Sequence, residues 1–362
     1  MTKAKNIVWW LYGSLMIGCL LMLAACSDDS VDEPQGNPLQ LSSVTREGTT
    51  SHLDAGNIKV HVTTKTAAVS SGTFSRTTPE VDWTNSGISI KENAQYYLYG
   101  FMPSTLASSS EVSATASDLG GDFSKGADLQ LTALPTFTTE DICVIVGVQR
   151  ITEKTEDPAT EGNYGYAAGV ASQNYVNLLM DHLYSKLILQ FNVDANYYLL
   201  RHIKLKKVTL TSTYGKKVNA TIKLRTGKGL ANAVVFEKNT GFGDSDQLQM
   251  FASSTTEPAV APINLPSNDG GAAVSIGTIN CAPCIFDPDG MNLSITCEYD
   301  VYDTKDAVNP VREGCTATNK LKVSNVTSGV QKTVTVTIAP TYLYVLSDND
   351  LNNPTIYVGT GS

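Results

Sequence analysis

Gln331-Lys332-Thr333-Val334-Thr335-Val336-Thr337-Ile338 alternates polar and apolar residues and is β-branched at nearly every place. A period of two with branched side chains is the pattern of a half-buried strand. The same alternation recurs in Asn57-Ile58-Lys59-Val60-His61-Val62 and in Gly87-Ile88-Ser89-Ile90-Lys91. Gln95 to Phe101, with YYLYGF at its heart, reads as a buried aromatic strand, and Ile142 to Val148 as a continuous apolar one. Further strands are expected at Lys186 to Val193, His202 to Thr211, Val218 to Leu224, Ala272 to Ile279 and Met291 to Tyr299. Turn signals separate them: Asn85-Ser86-Gly87, Tyr214-Gly215-Lys216, Asn268-Asp269-Gly270 and Asp287-Pro288-Asp289-Gly290. Many short strands with polar turns predict an all-β protein built of β-sandwiches. No strand–helix alternation appears, which argues against a Rossmann-like or barrel enzyme fold.

The chain of 362 residues is long enough for two ordinary cores. The end of Asn177-Leu178-Leu179-Met180-Asp181-His182 and the start of Ser185-Lys186-Leu187 place a domain boundary near residues 175–185. The expected units are 51–183 and 184–346, with a tail at 347–362. Net charge is −9 and the isoelectric point is near 5.0, which argues against nucleic-acid binding, since that needs a basic stripe.

Lys3 and Lys5 precede an apolar run from Ile7 to Ala25, which ends in Leu23-Ala24-Ala25-Cys26. A charged start, an apolar stretch and small residues before a cleavage point make a secretory signal peptide over residues 1–25. The run is nearly long enough to span a bilayer, but its N-terminal place and Ala-Ala-Cys ending favour removal. Cleavage between Ala25 and Cys26, with acylation of the Cys26 thiol, is the expected outcome. Two acyl chains anchor stably where one binds reversibly. Residues 26–50 then read as an acidic tether, opening with Ser27-Asp28-Asp29-Ser30 and carrying Pro34, Gly36 and Pro38. Within it Leu39 to Val44 forms a short apolar stretch, closed by Thr45-Arg46-Glu47-Gly48.

Candidate chemistry is sparse. Cys281-Ala282-Pro283-Cys284 has the spacing of a redox pair and, with Cys297 and Cys315, can be drawn as a four-thiolate zinc site. A redox pair needs a helix N-terminus to lower the thiol pKa, and here a strand precedes and a turn follows. Cys143, Cys281, Cys284, Cys297 and Cys315 are therefore read as structural, in disulfides or as small buried groups. His52, His61, His182 and His202 lack paired ligand spacing, and His182 is read as a packing or hydrogen-bonding residue. The acidic turns at Asp287 to Gly290 and Ser347 to Asp350 do not fill a calcium loop. Trp83, Tyr96, Tyr97 and Tyr99 could make a sugar platform, but strand-spaced aromatics more often form core. No GxSxG and no P-loop occurs, so neither an enzyme nor a cofactor or metal is expected.

The order of features resembles the fimbrillin superfamily of lipoprotein pilin precursors from anaerobic Gram-negative bacteria. The likeness is carried by the lipobox with Ser27-Asp28-Asp29, by Arg46 after its apolar segment, and by the YYLYGF strand at Tyr96 to Phe101. It continues in the junction Leu179-Met180-Asp181-His182-Leu183-Tyr184-Ser185-Lys186-Leu187 and the tail Ile338-Ala339-Pro340-Thr341-Tyr342-Leu343-Tyr344-Val345-Leu346. The resemblance implies two tandem transthyretin-like Greek-key sandwiches and export to the outer membrane surface. It also implies a removable N-terminal strand, for which Leu39, Leu41 and Val44 are the inward candidates. A trypsin-like maturation protease would cut between Arg46 and Glu47, with Arg76 a weaker alternative. A strand from another fimbrial subunit would then take the vacated place, the donor candidates being Tyr342, Tyr344 and Leu346, or Ile356 and Val358. A monomeric surface glycan-binding lipoprotein is the competing expectation.

Overall fold

The computed structural model of the chain describes residues 37–46, 53–64, 68–91, 94–106, 112–113, 127–151, 153–154, 165–167, 174–224, 233–287, 289, 291–340 and 355–360. Nearly all of them lie in or between strands, as the period-two pattern requires. The first strands in chain order are β1 (Asn37–Pro38), β2 (Gln40–Arg46), β3 (Gly56–Thr63), β4 (Ala68–Arg76), β5 (Thr84–Ser86) and β6 (Ser89–Ile90). Next come β7 (Gln95–Met102), β8 (Val112–Ser113), β9 (Ala127–Pro135), β10 (Phe137–Thr138), β11 (Cys143–Ile151), β12 (Gly165–Ala167) and β13 (Tyr175–His182). They are followed by β14 (Ser185–Val193), β15 (Arg201–Ser212), β16 (Lys217–Leu224), β17 (Val234–Lys238), β18 (Asp246–Ala252) and β19 (Ile263–Asn264). The last are β20 (Val274–Cys281), β21 (Leu293–Asp303), β22 (Asp306–Lys320), β23 (Gln331–Ala339) and β24 (Thr355–Thr360).

β7 lies at the centre of the eight-stranded sheet, whose order is β2-β13-β11-β7-β3-β4-β5, with β12 also on β7. Tyr96 and Leu98 face one core while Tyr97, Tyr99 and Phe101 face another, so both faces are covered. A strand buried on both sides reads as a continuous apolar run, which is why YYLYGF shows no alternation. One core holds Ile58, Val60 and Val62 of β3, Phe74 of β4, and Val176, Leu178 and Met180 of β13. The other packs Phe101, Val144 and Val146 against Leu129 and Leu131 of β9 and Val218 and Ile222 of β16. A third core lies between the sheet β10-β20-β14-β23-β24 and the sheet β18-β15-β21-β22, and holds Leu189, Phe191, Val208, Leu210, Ile295 and Val336. The protein is an all-β, sandwich-type fold.

The chain changes sheet after His182. β13 ends in the eight-stranded sheet at His182, and after Leu183 and Tyr184 the chain enters the five-stranded sheet as β14. Two sheets nevertheless draw strands from both sides of that link. β9 pairs antiparallel with β16, and β10 pairs with β20. An unpaired strand edge leaves N–H and C=O groups without partners, and these pairings satisfy edges of both halves.

Candidate functional site

Most pairings of the eight-stranded sheet are antiparallel, but its terminal strand is not. β2 runs parallel to β13, with Leu41 opposite Val176, Ser43 opposite Asn177, Val44 opposite Leu178 and Arg46 opposite Met180. Its start is fastened on the other side to the β5–β6 segment. The Leu39 N–H donates to the Ile88 carbonyl at 3.2 Å, and Asn85 Nδ2 donates to the carbonyls of Leu39 at 2.9 Å and Ile88 at 2.8 Å. Just before it, Asn37 and Pro38 pair antiparallel with Ile90 and Ser89. β2 therefore bridges two edges of the same sheet and seals the groove between them.

Three side chains of this short segment reach the core: Leu39, Leu41 and Val44 are 0%, 4% and 1% exposed. Burial of each apolar side chain is worth about 1.5–3 kcal/mol, so the hydrophobic hold on the strand is several kcal/mol. Val44 follows Leu41 by three residues rather than two, which a regular strand would turn outward. The register shifts between Val176 and Asn177, where β2 spends Ser42 as an extra residue. This bulge resets the alternation and brings Val44 back to the inner face. The hold is incomplete in its polar groups. Among the described residues, Gln40 Oε1 and Thr45 Oγ1 are buried without a hydrogen-bond partner. Such groups offset part of the apolar gain.

Comparison with solved structures returns fimbrial and cell-adhesion proteins. A fimbrial protein from Bacteroides vulgatus matches with a TM-score of 0.48 at 11% identity, over 90% of this chain and 98% of its own. A candidate cell-adhesion protein from Parabacteroides distasonis matches with a TM-score of 0.42 at 10% identity, over 91% of this chain and 100% of its own. The fimbrial anchor protein Mfa2 from Porphyromonas gingivalis matches with a TM-score of 0.32 at 9% identity, over 90% and 98%. In fold, the chain is similar to fimbrial proteins. At these identities the likeness concerns the fold alone. No protein-family model and no curated protein matches the chain.

The remaining candidates are scattered. Arg46, the cleavage candidate, is the last residue of β2, because Met180 of β13 still offers it a backbone partner. Ala25, Cys26 and Glu47 lie outside the described residues, as do Tyr342, Tyr344 and Leu346. Ile356 and Val358 belong to β24, the last strand of its sheet, opposite Ile338 and Val336 of β23. Arg76 ends β4. Its Nε donates to the Thr78 carbonyl at 3.1 Å, and its guanidinium lies 5.9 Å from the centre of the Trp83 ring. Trp83, Tyr96, Tyr97 and Tyr99 are all buried, so they present no platform to a sugar. Asp287 closes its turn by accepting from the N–H groups of Asp289 at 2.9 Å and Met291 at 3.3 Å.

No disulfide joins Cys143, Cys281, Cys284, Cys297 or Cys315 among the described residues. Burial raises the Cys281 thiol pKa and pushes Cys284 and Cys297 up to about 12. A redox pair requires the opposite shift, toward thiolate.

One constellation escaped the sequence reading. Cys143 opens β11 and His182 closes β13, and the two are direct partners across the antiparallel ladder. Asp141, two residues upstream of Cys143, completes a group of three donor atoms within 4.8 Å of one another. Of its members only the Asp141–Cys143 spacing was visible in the sequence.

Proposed function

We propose that the chain is the precursor of a fimbrial subunit, a surface lipoprotein held to the outer membrane through Cys26 and serving in adhesion. The observation that supports this reading most is the sealing of the groove by β2. The strand is N-terminal, inserted in parallel, buried through Leu39, Leu41 and Val44, and ends on an arginine. A trypsin-like maturation protease cutting between Arg46 and Glu47 would leave β2 held by noncovalent contacts alone. Its loss opens an apolar slot flanked by the backbone edges of β13 and the β5–β6 segment. An added strand recovers main-chain hydrogen bonds and fills the pockets with alternate side chains. Keeping such a slot filled until assembly avoids an open, aggregating edge.

The donor is the C-terminal segment of another copy, carrying Tyr342, Tyr344 and Leu346 or Ile356 and Val358. β24 pairs only with β23 among the described strands, so its detachment breaks a single ladder. Tandem sandwich units over 51–183 and 184–346, of the transthyretin-like kind that the resemblance implies, share strands through the β9–β16 and β10–β20 pairings.

Limited trypsin treatment of the purified full chain, followed by mass spectrometry and size-exclusion chromatography, tests this. The expected result is a cut after Arg46, a stable core and oligomers, with both cut and oligomers lost in Arg46→Ala. A core that is cut at Arg46 and stays monomeric refutes strand exchange.

A further inference from the structure

We propose that Asp141, Cys143 and His182 form a binding site for one divalent cation of the zinc class, with a fourth coordination position open to the adjoining cavity. Three different donors converge on a single region. Cys143 Sγ lies 3.5 Å from His182 Nδ1 and 3.6 Å from Asp141 Oδ1. His182 Nδ1 lies 2.6 Å from the same carboxylate oxygen. Tetrahedral zinc, with bonds of about 2.3 Å to sulfur and about 2.0–2.1 Å to nitrogen or oxygen, separates sulfur from its neighbours by about 3.6 Å. The same geometry sets nitrogen and oxygen about 3.3 Å apart. Two edges of the ligand triangle already have that length. The third opens by about 0.7 Å when the metal replaces the imidazole–carboxylate hydrogen bond. That movement is available because the side chains of His182 and Asp141 are 30% and 34% exposed.

A nucleophilic use of the Cys-His-Asp set fits less well. In a nucleophilic triad the imidazole stands between thiol and carboxylate and uses both of its nitrogens. Here thiol and carboxylate meet the same nitrogen, and Cys143 is 0% exposed, beyond the reach of a substrate carbonyl. The alternative is a plain hydrogen-bond cluster in which Cys143 Sγ and His182 Nδ1 both donate to Asp141 Oδ1, and it gives no cobalt band. Thiolate, imidazole and carboxylate together suit zinc and its neighbours, whereas calcium and magnesium take oxygen ligands. On binding, Cys143 gives its proton to solvent and its sulfur to the metal.

The fourth position faces a cavity of about 530 Å³ whose wall includes Asp141, His182, Tyr184, Lys186, Asn280 and Gln331. Water fills that position by default. The Lys186 ammonium on the same wall favours an anionic donor such as a carboxylate. The site lies at the link from β13 to β14, so the metal would tie the Asp141 segment to the end of β13 there. This inference does not depend on strand exchange.

The test uses the full chain, stripped of metal with a chelator, kept reduced with a phosphine and titrated with Co²⁺. A thiolate-to-cobalt charge-transfer absorption should saturate at one ion per chain and vanish when Zn²⁺ is added. It should be lost in Cys143→Ser and kept in Cys284→Ser. His182→Gln and Asp141→Asn, at partly exposed positions and checked for native circular dichroism, should weaken binding at least about tenfold. These two variants keep the test decisive if Cys143→Ser does not fold. Absence of the band overturns the proposal, as does a band that survives both exposed variants at unchanged affinity.

Discussion

Val44 on the N-terminal strand faces Leu178 of β13 across a parallel ladder, both side chains buried in the same core. Joining two such distant points of the chain in parallel needs no hairpin, so the contact does not rely on a turn. It rests on the apolar fit and the backbone ladder.

Truncating an anchor of β2 should loosen the whole N-terminal core. Leu41 is 4% exposed and inserts beside Val176 and Leu178. Leu41→Ala is expected to cost about 2–5 kcal/mol in urea unfolding of the uncleaved chain. A change within error would mean that β2 contributes little to the folded precursor.

The bulge has a converse effect. Deleting Ser42 turns Leu41-Ser43-Val44 into a regular in-out-in pattern without changing the partners Val176, Asn177 and Leu178. Recovering a ladder hydrogen bond is worth about 0.5–1.5 kcal/mol, so the cleaved strand should leave about two- to tenfold more slowly. Release of the 26–46 fragment after cleavage, followed by mass spectrometry, gives the rate. Faster release in the deletion variant would contradict this account of the bulge.

His61 supplies a pH dependence. Its ring stacks on Tyr99 at 5.3 Å between centroids, and burial, reinforced by the Lys59 charge, lowers its pKa from 6.5 to about 4. The unfolded chain therefore takes up a proton near pH 6.5 that the folded chain refuses until about pH 4. Stability from this group is complete above pH 6.5, falls through that window and is gone below it. The loss is about 3 kcal/mol. Chemical denaturation from pH 7 to 4 should show the slope, and His61→Gln should flatten it.

Gly100 leaves no room for a side chain. A Cβ there would lie 2.0 Å from the Lys59 carbonyl oxygen and 3.1 Å from Ile145 Cδ1. Lys59 sits in β3, hydrogen-bonded to β7, so the obstacle is sheet backbone rather than a movable side chain. Gly100→Ala should cost about 3 kcal/mol or more, read as a lowered urea midpoint. A midpoint equal to that of the parent chain would show that the two strands can separate freely.

The strands most legible in the sequence are those with one clean buried face. The run expected at Lys186 to Val193 is β14 at Ser185–Val193, and the Thr-Val run is β23 at Gln331–Ala339. Among the strands that escaped are β4, β9, β13, β17, β18 and β22. β22 is a sheet edge whose residues are mostly exposed, and Pro310 and Gly314 interrupt its pattern, so only Cys315 and Ala317 mark an inner face. β4 buries Phe74 but passes Gly72 beneath the Ser86 carbonyl, a close approach that favours glycine over a branched residue.

By itself the sequence determined what each segment prefers to be: extended and alternating, with Leu39 and Leu41 on one side of a short N-terminal stretch, whereas Val44 joins them only through the bulge at Ser42. Tertiary structure decided which edges meet. The parallel docking of β2 on β13, the pairing of β9 with β16 across the link at Leu183 and Tyr184, and the meeting of Asp141 and Cys143 with His182 are all choices of this kind. The reason is physical. Side-chain pattern is a local property of the chain, whereas every strand edge offers the same backbone N–H and C=O groups to any partner. Register and partner are then selected by how the buried faces pack together, over separations that no local pattern records.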